Sequence, residues 1–127
     1  MANEVQMSAR LFAAKGGATI DGTTYTVTAN MTGTDMGQQT QDVGTGSEAL
    51  DLTADLSTPY RVLIRNLDTI NSVLVGGYDS VITPNIVWPI RIAPGEFCLI
   101  PRIDSGWTTL VKSSAGTVKI MVQFCEL

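Results

Sequence analysis

Histidine is absent from this sequence, and charged, aromatic and cysteine residues are few. Without histidine, Ser-His and Cys-His nucleophile pairs and histidine-based metal sites are excluded. Only 16% of the residues are charged, and the 8 Lys+Arg are scattered singly, so no basic run is available to neutralise phosphates or an anionic membrane. The composition therefore predicts that the chain binds neither nucleic acid nor a membrane.

Long apolar runs are also missing. No stretch approaches the roughly 18 apolar residues of a membrane-spanning helix, and the N-terminal sequence MANEVQMS lacks the basic and apolar regions of a secretory signal. We therefore expect synthesis in a cytoplasm, where thiols stay reduced. Cys98 and Cys125 lie in apolar strand-like runs, which favours two buried free thiols over a disulfide.

A hydrophobic fraction of 44% in 127 residues is sufficient for one domain with a core of its own. We predict a single domain over 1–127, in which 1–46 contributes edge strands or partly forms an extended arm. The low charge leaves weakly polar faces available to partners.

The segment 60–77 is the centre of the predicted fold. Two short β-branched runs, 61–65 and 72–75, flank a connection rich in turn-forming residues. Both runs are nearly continuous in apolar character, which is typical of strands in the interior of a sandwich. We expect a neighbouring strand pair here.

The N-terminal region alternates strongly between apolar and polar residues. In 4–14, Val5, Met7, Ala9, Leu11 and Ala13 fall on one face, which predicts a half-buried strand. A second strand is predicted over 23–31, with a row of threonines on one side. The dipeptide Asp21-Gly22 favours a tight hairpin turn between 18–20 and 23–25.

The segment 31–46 is rich in Gly, Thr and Gln and poor in apolar residues. We interpret 36–43 as an edge strand; the alternative is an exposed arm that becomes ordered against another subunit. A further short strand is expected in 47–52.

Turn residues divide the C-terminal half into strands. Pro89 lacks an N–H for a ladder and predicts an edge or a bulge in 86–92. The sequence 93–96, APGE, fits a type II turn that joins 87–92 to 97–100 as a hairpin. Turns at 104–106 and 113–116 precede strands 107–112 and 117–125. The whole pattern predicts an all-β fold, an antiparallel two-sheet sandwich of jelly-roll type with eight to ten strands.

No residue pattern indicates a cofactor or a metal. The acidic residues sit mainly at turns and strand ends, where solvation alone accounts for them, although a glycosidase needs only two carboxylates. Asp51 and Asp55, with Glu48 nearby, match no defined calcium loop. The pairs Gly16-Gly17 and Gly76-Gly77 precede no phosphate-binding helix, and we interpret both as turns.

The remaining candidates are residues that could contact a partner. Gln38, Gln39 and Gln41 lie in the possible arm, and Tyr78 and Trp107 could stack on sugar rings. Core positions are the preferred interpretation for Trp88, in phase with Ile86, Ile90 and Ile92, and for Trp107, as a cap on the core.

The segments NLDTINSVLVG (66–76), IAPGEF (92–97) and QFCE (123–126) together resemble the small β-sandwich virion proteins of tailed bacteriophages. The resemblance covers 60–127. It implies a jelly-roll-like fold and a structural, non-enzymatic role on the outer capsid surface, where the protein would bridge neighbouring subunits of the major capsid protein. A homodimer or homotrimer is expected, with no small-molecule substrate. The alternatives are a tail, neck or fibre component that binds a receptor or glycan, and a two-carboxylate glycosidase.

Overall fold

The structure is a computed structural model that describes residues 4–31, 35–52, 59–79, 83–104 and 107–127. Strands dominate these residues, and none of them belongs to a helix that could cross a membrane. In chain order the strands are β1 (Glu4–Arg10), β2 (Ala13–Lys15), β3 (Ala18–Ile20), β4 (Thr24–Asn30), β5 (Met36–Val43), β6 (Glu48–Ala49), β7 (Tyr60–Asn66), β8 (Val73–Asp79), β9 (Thr83–Ile92), β10 (Phe97–Ile103), β11 (Trp107–Ser113) and β12 (Val118–Glu126).

The chain divides into two compact units, 1–32 and 33–127. The division falls within the first 46 residues, the part for which the sequence predicted edge strands or an arm. The first unit contains β1 to β4, and the second contains β5 to β12.

The second unit is a sandwich of two antiparallel four-stranded sheets. Sheet 1 has the order β10-β7-β12-β5, and sheet 2 has the order β6-β11-β8-β9. The first four strands pair with the last four in reverse order: β5 with β12, β6 with β11, β7 with β10 and β8 with β9. This is the arrangement of a jelly roll, and it confirms the predicted fold class.

The core lies between the two sheets and follows the alternation of each strand. In β12 the inward side chains of Val118, Ile120, Val122 and Phe124 are buried, as predicted. The other buried apolar residues come from the remaining seven strands or their ends: Val43, Leu50, Tyr60, Val62, Ile64, Val73, Val75, Ile92, Ile103 and Val111.

The predicted central strands occupy interior positions but do not pair with each other. β7 lies between β10 and β12 in sheet 1, and β8 lies between β11 and β9 in sheet 2. The prediction that these two strands are neighbours is therefore wrong. The prediction that both are interior strands is confirmed. β5 is an edge strand over the predicted residues 36–43.

The 93–96 turn has the predicted geometry. Gly95 has φ +76°, and the amide of Glu96 donates a hydrogen bond of 3.0 Å to the carbonyl of Ala93. The turn nevertheless connects β9 in sheet 2 to β10 in sheet 1. The predicted hairpin is wrong because the turn carries the chain between sheets.

Gly76 and Gly77 lie inside β8, so their interpretation as a turn is wrong. A Cβ on Gly76 would lie 1.9 Å from the carbonyl oxygen of Val87, and one on Gly77 would lie 1.8 Å from that of Thr108. Glycine is required here because both neighbouring strands approach too closely for a side chain.

β9 is an edge strand with a register shift opposite Gly76, which confirms the prediction from Pro89. Val75 pairs with Ile90 and Gly77 with Val87, so β9 carries one extra residue between them. The alternation predicted for 86–92 is interrupted at this bulge.

The first unit is a long interrupted hairpin. β1 pairs with β4 and β2 with β3, both antiparallel. The turn lies at Gly16-Gly17, whose φ angles are +59° and +84°. The turn predicted at Asp21-Gly22 is therefore wrong. These residues lie in the connection from β3 to β4, which is one residue longer than the opposite connection from β1 to β2.

Candidate binding surface

The register of the β1–β4 pair separates apolar from polar side chains completely. Val5 pairs with Ala29, Met7 with Val27 and Ala9 with Tyr25. Side chains of paired residues point to the same side of a sheet, and these positions are two residues apart, so all six share one face. We call this set, Val5, Met7, Ala9, Tyr25, Val27 and Ala29, the apolar stem face.

The opposite side of the same strands is polar. It carries Glu4, Gln6, Ser8, Arg10, Thr24, Thr26, Thr28 and Asn30. The hydroxyls of Ser8 and Thr26 are hydrogen-bonded across it at 3.0 Å. The hairpin is thus amphipathic with a period of two, as a sheet with one solvent face should be.

The apolar stem face is open around Ala9, Tyr25 and Val27, whereas Val5, Met7 and Ala29 are half-buried. Tyr25 is 74% exposed and Val27 is 52% exposed. A two-stranded hairpin is marginally stable in water unless its hydrophobic face is covered. The exposure of this face therefore marks it as a contact surface.

Further apolar side chains are exposed where the hairpin is interrupted. Leu11, Phe12 and Ile20 are 68%, 63% and 50% exposed, and we call them the arm tip. The guanidinium of Arg10 lies 5.7 Å from the centre of the Phe12 ring, which is within cation–π range.

One end of the jelly roll is fastened by the side chain of Asn66, which is fully buried in the second unit. Its amide nitrogen donates to the carbonyl of Asn71 at 2.9 Å and to that of Ile92 at 3.1 Å. Its amide oxygen accepts from the backbone of Asp68 at 2.9 Å. Both ends of the side chain are satisfied, so this network has a structural role.

The backbone of Asn66 completes the connection to the 93–96 turn. Its N–H donates to the carbonyl of Glu96 at 2.9 Å, and its own carbonyl accepts from Gly95 at 3.2 Å. The Glu96 carboxylate accepts a hydrogen bond of 3.0 Å from the amide of Ala93. The segments 66–76 and 92–97 thus meet in one hydrogen-bonded corner.

Asp68 closes the loop that follows β7. Its carboxylate accepts hydrogen bonds from the amides of Ile70 and Asn71 at 2.6 and 2.8 Å. The bonds from Asn71 and Ile70 hold the pKa of Asp68 below its ordinary value of 3.8 because they stabilise the ionised form.

Two of the three glutamines predicted to contact a partner instead link the two sheets of the sandwich. Gln39 donates to the carbonyl of Asp51. Gln41 donates to the carbonyl of Ala49 at 3.0 Å and accepts from the amide of Asp51 at 2.8 Å. Both side chains therefore connect β5 of sheet 1 to the β6 segment of sheet 2. Their amide groups are engaged in these hydrogen bonds within the chain.

Gln38 lies on the other side of β5 and is exposed. Its side-chain oxygen accepts a hydrogen bond of 2.7 Å from Gln123 of β12. Of the three glutamines, it is the one whose side chain stands on the outer face of sheet 1.

Tyr78 and Trp107 do not converge on one surface. Tyr78 pairs with Thr108 and is half-buried on the outer side of sheet 2. Trp107 packs against the hydrophobic core, in agreement with its interpretation as a cap. An apolar cavity of about 250 Å³ lies beside it, lined among others by Ile90, Ile100 and Ile103.

Trp88 is half-buried and stands outside the core cluster, so its predicted core position is wrong. The ammonium group of Lys112 lies 4.5 Å from the centre of its ring. The bulge in β9 explains the difference because it breaks the phase between Trp88 and Ile90.

The described residues contain no group of three or more His, Cys, Asp or Glu side chains that could hold a metal ion. Asp55, one of the carboxylates considered for calcium, lies outside these residues. Glu48 accepts a hydrogen bond of 2.8 Å from the amide of Gly44.

The two cysteines are free thiols, as predicted, but both are half-buried, so the predicted full burial is wrong. Cys98 pairs with the inward Ile64, whereas Cys125 pairs with Arg61 on the outer side of the same sheet. Burial raises the pKa of both thiols, and the Arg61 charge offsets part of this for Cys125.

Comparison with known proteins adds no relative: no family model, curated protein or solved structure matches this chain.

The sequence indicated the two faces of β1 and β4 separately. It did not indicate that they pair with each other, and the Gly-Gly dipeptide midway between them was the available signal.

Proposed function

We propose that this chain is a structural virion protein of a tailed bacteriophage that decorates the capsid and cements it by bridging neighbouring capsid subunits. The observation that carries the proposal is that one chain contains both a jelly roll that buries its own core and a hairpin with several large exposed apolar side chains. The first unit supplies adhesion, and the second supplies a stable body.

The fold supports this role by analogy. Jelly-roll domains occur in viral capsid proteins, and also in lectins and cupins, so the fold alone leaves several functions open. The cavity beside Trp107 is lined mainly by aliphatic side chains, with Arg102 and Thr109 as polar members.

The arm tip supplies the capsid contact in this proposal. Leu11, Phe12 and Ile20 are each at least half exposed, and they lie on a narrow hairpin that can enter a groove between two subunits. Many copies on a repeating lattice multiply a modest contact by avidity.

Capsid binding tests the proposal directly. Purified protein is mixed with emptied, expanded capsids, and sedimentation and calorimetry measure the bound copies and the capsid melting temperature. We expect hundreds of copies per particle and a higher melting temperature. A dozen or fewer copies would instead indicate a tail or neck position.

The tip variant Phe12→Ser gives the matched comparison. Loss of a large exposed anchor from an interface centre weakens binding by about tenfold or more. Thr19→Ala, in the same hairpin, serves as the control and should bind like the wild type. Equal binding by all three proteins would contradict the role of the arm tip.

A further inference from the structure

We infer that the apolar stem face is covered by the same face of a second copy of this chain. The inference does not depend on what the arm tip binds. It rests on the distribution of large and small side chains within the face, on its lack of charge and on the exposure of Ala9, Tyr25 and Val27.

Bulky and small residues occupy opposite diagonals of the stem face. At one end Val5 of β1 stands beside Ala29 of β4; at the other end Ala9 of β1 stands beside Tyr25 of β4. The diagonal from Val5 to Tyr25 thus carries the larger side chains, and the diagonal from Ala9 to Ala29 carries the smaller ones. Met7 and Val27 form the middle pair.

This pattern is complementary to itself. A two-fold axis in the plane between two stacked faces exchanges the diagonals, whether the axis runs along the strands or across them. Tyr25 of one copy then lies over Ala9 or Ala29 of the other, and Val5 likewise lies over an alanine. A two-fold interface requires this kind of self-complementarity.

The chemistry of the two sides fits the same arrangement. The stem face carries no charged residue, so stacking buries no unpaired ion. The polar sides of both hairpins remain in water. Two amphipathic hairpins stacked at about 10 Å form a small four-stranded sandwich, which removes the instability of a lone hairpin.

The test measures the oligomeric state of the full-length chain by light scattering and sedimentation equilibrium across micromolar concentrations. Val27→Asp places a carboxylate in the centre of the face, and Thr28→Asp places it on the polar side of the same strand. We expect Val27→Asp to raise the dissociation constant by about a hundredfold or more, since burial of an unpaired charge is costly. Thr28→Asp should associate like the wild type.

A second variant separates shape from general stickiness. Ala9→Tyr adds apolar area to an exposed position, which would strengthen nonspecific association. It also fills the small position that the partner's large side chain needs, so we expect association to weaken by about tenfold or more.

Folding of the jelly roll is monitored independently because both tryptophans lie in the second unit. Unchanged tryptophan fluorescence shows that a variant acts on the hairpin alone. A wild-type chain that stays monomeric, equal effects of Val27→Asp and Thr28→Asp, or tighter association by Ala9→Tyr would each overturn the inference.

The capsid assay keeps this inference distinct from the proposed function. Self-association without capsid binding would support the stem contact and reject the decoration role. Capsid binding by a monomeric wild-type chain would support decoration and overturn the stem contact.

Discussion

The amide nitrogen of Asn66 lies 3.1 Å from the carbonyl oxygen of Ile92 and donates a hydrogen bond to it, which joins the end of a sheet 1 strand to the end of a sheet 2 strand. The side chain is fully buried, so water cannot replace its partners. This bond fixes how the two sheets meet at one end of the jelly roll.

Asn66→Ala should therefore lower the free energy of unfolding by about 3 kcal/mol or more, because it leaves buried carbonyl and amide groups without partners. Urea unfolding followed by tryptophan fluorescence measures the loss. The exposed Asn85 provides the control, and Asn85→Ala should change the stability by less than about 0.5 kcal/mol. Equal effects of the two substitutions would contradict the structural role of Asn66.

The lowered pKa of Asp68 predicts a loss of stability in acid. A carboxyl whose pKa is lower in the folded state stabilises the fold above the unfolded pKa, and this contribution disappears as pH falls through the folded value. Melting temperatures between about pH 2 and 6 should thus fall more steeply for the wild type than for Asp68→Asn. Parallel pH curves for the two proteins would contradict the prediction.

Gly77 is expected to tolerate no side chain. It has φ +150°, and a Cβ would lie 1.8 Å from the backbone oxygen of Thr108. Gly77→Ala should cost about 3 kcal/mol or prevent folding, as for other changes that overpack a core.

Two other glycines provide graded controls for Gly77. Gly95 has φ +76° but open space around it, so Gly95→Ala should cost about 1 kcal/mol. Gly44 has open space and an ordinary backbone, and Gly44→Ala should be neutral or slightly stabilising. Chemical denaturation should reproduce the order Gly77, Gly95, Gly44.

The cysteines should react slowly while the protein is folded. Since burial raises the pKa of Cys98 and Cys125, a smaller fraction is thiolate at pH 8 than in a free cysteine. A thiol-specific colour reagent should react much faster after denaturation, and mild oxidation should form no bond between the two residues. If the native protein reacted at the rate of a small free thiol, the prediction that burial protects Cys98 and Cys125 would be contradicted.

Local patterns predicted the strands well and their partners poorly. Alternation in 118–124 and the composition of 36–43 depend only on neighbouring residues, and both strands appear as predicted. The 93–96 turn also formed, but it joins different sheets. In a jelly roll most consecutive strands alternate between sheets, so a turn sequence does not report which strands pair.

The binding surface was harder to predict for the same reason. The alternation in 4–14 indicated an apolar face but not whether a core covers it. The turn preference of Asp21-Gly22 competed with that of Gly16-Gly17, and pairing of β1 with β4 over seven residues decided between them. The sequence suggested that the side chains of Gln39 and Gln41 were available to a partner. Their hydrogen-bond acceptors, Asp51 and Ala49, lie 12 and 8 residues further along the chain and are not evident from the local sequence.

The order of synthesis bears on how this molecule matures. β12 is made after the other seven jelly-roll strands, yet it lies between β7 and β5 inside sheet 1. Sheet 1 cannot form completely until β12 has left the ribosome. Until then the apolar sides of the earlier strands remain uncovered. Nascent chains stalled before residue 118 should therefore bind chaperones and be digested readily by proteases, whereas released chains should not.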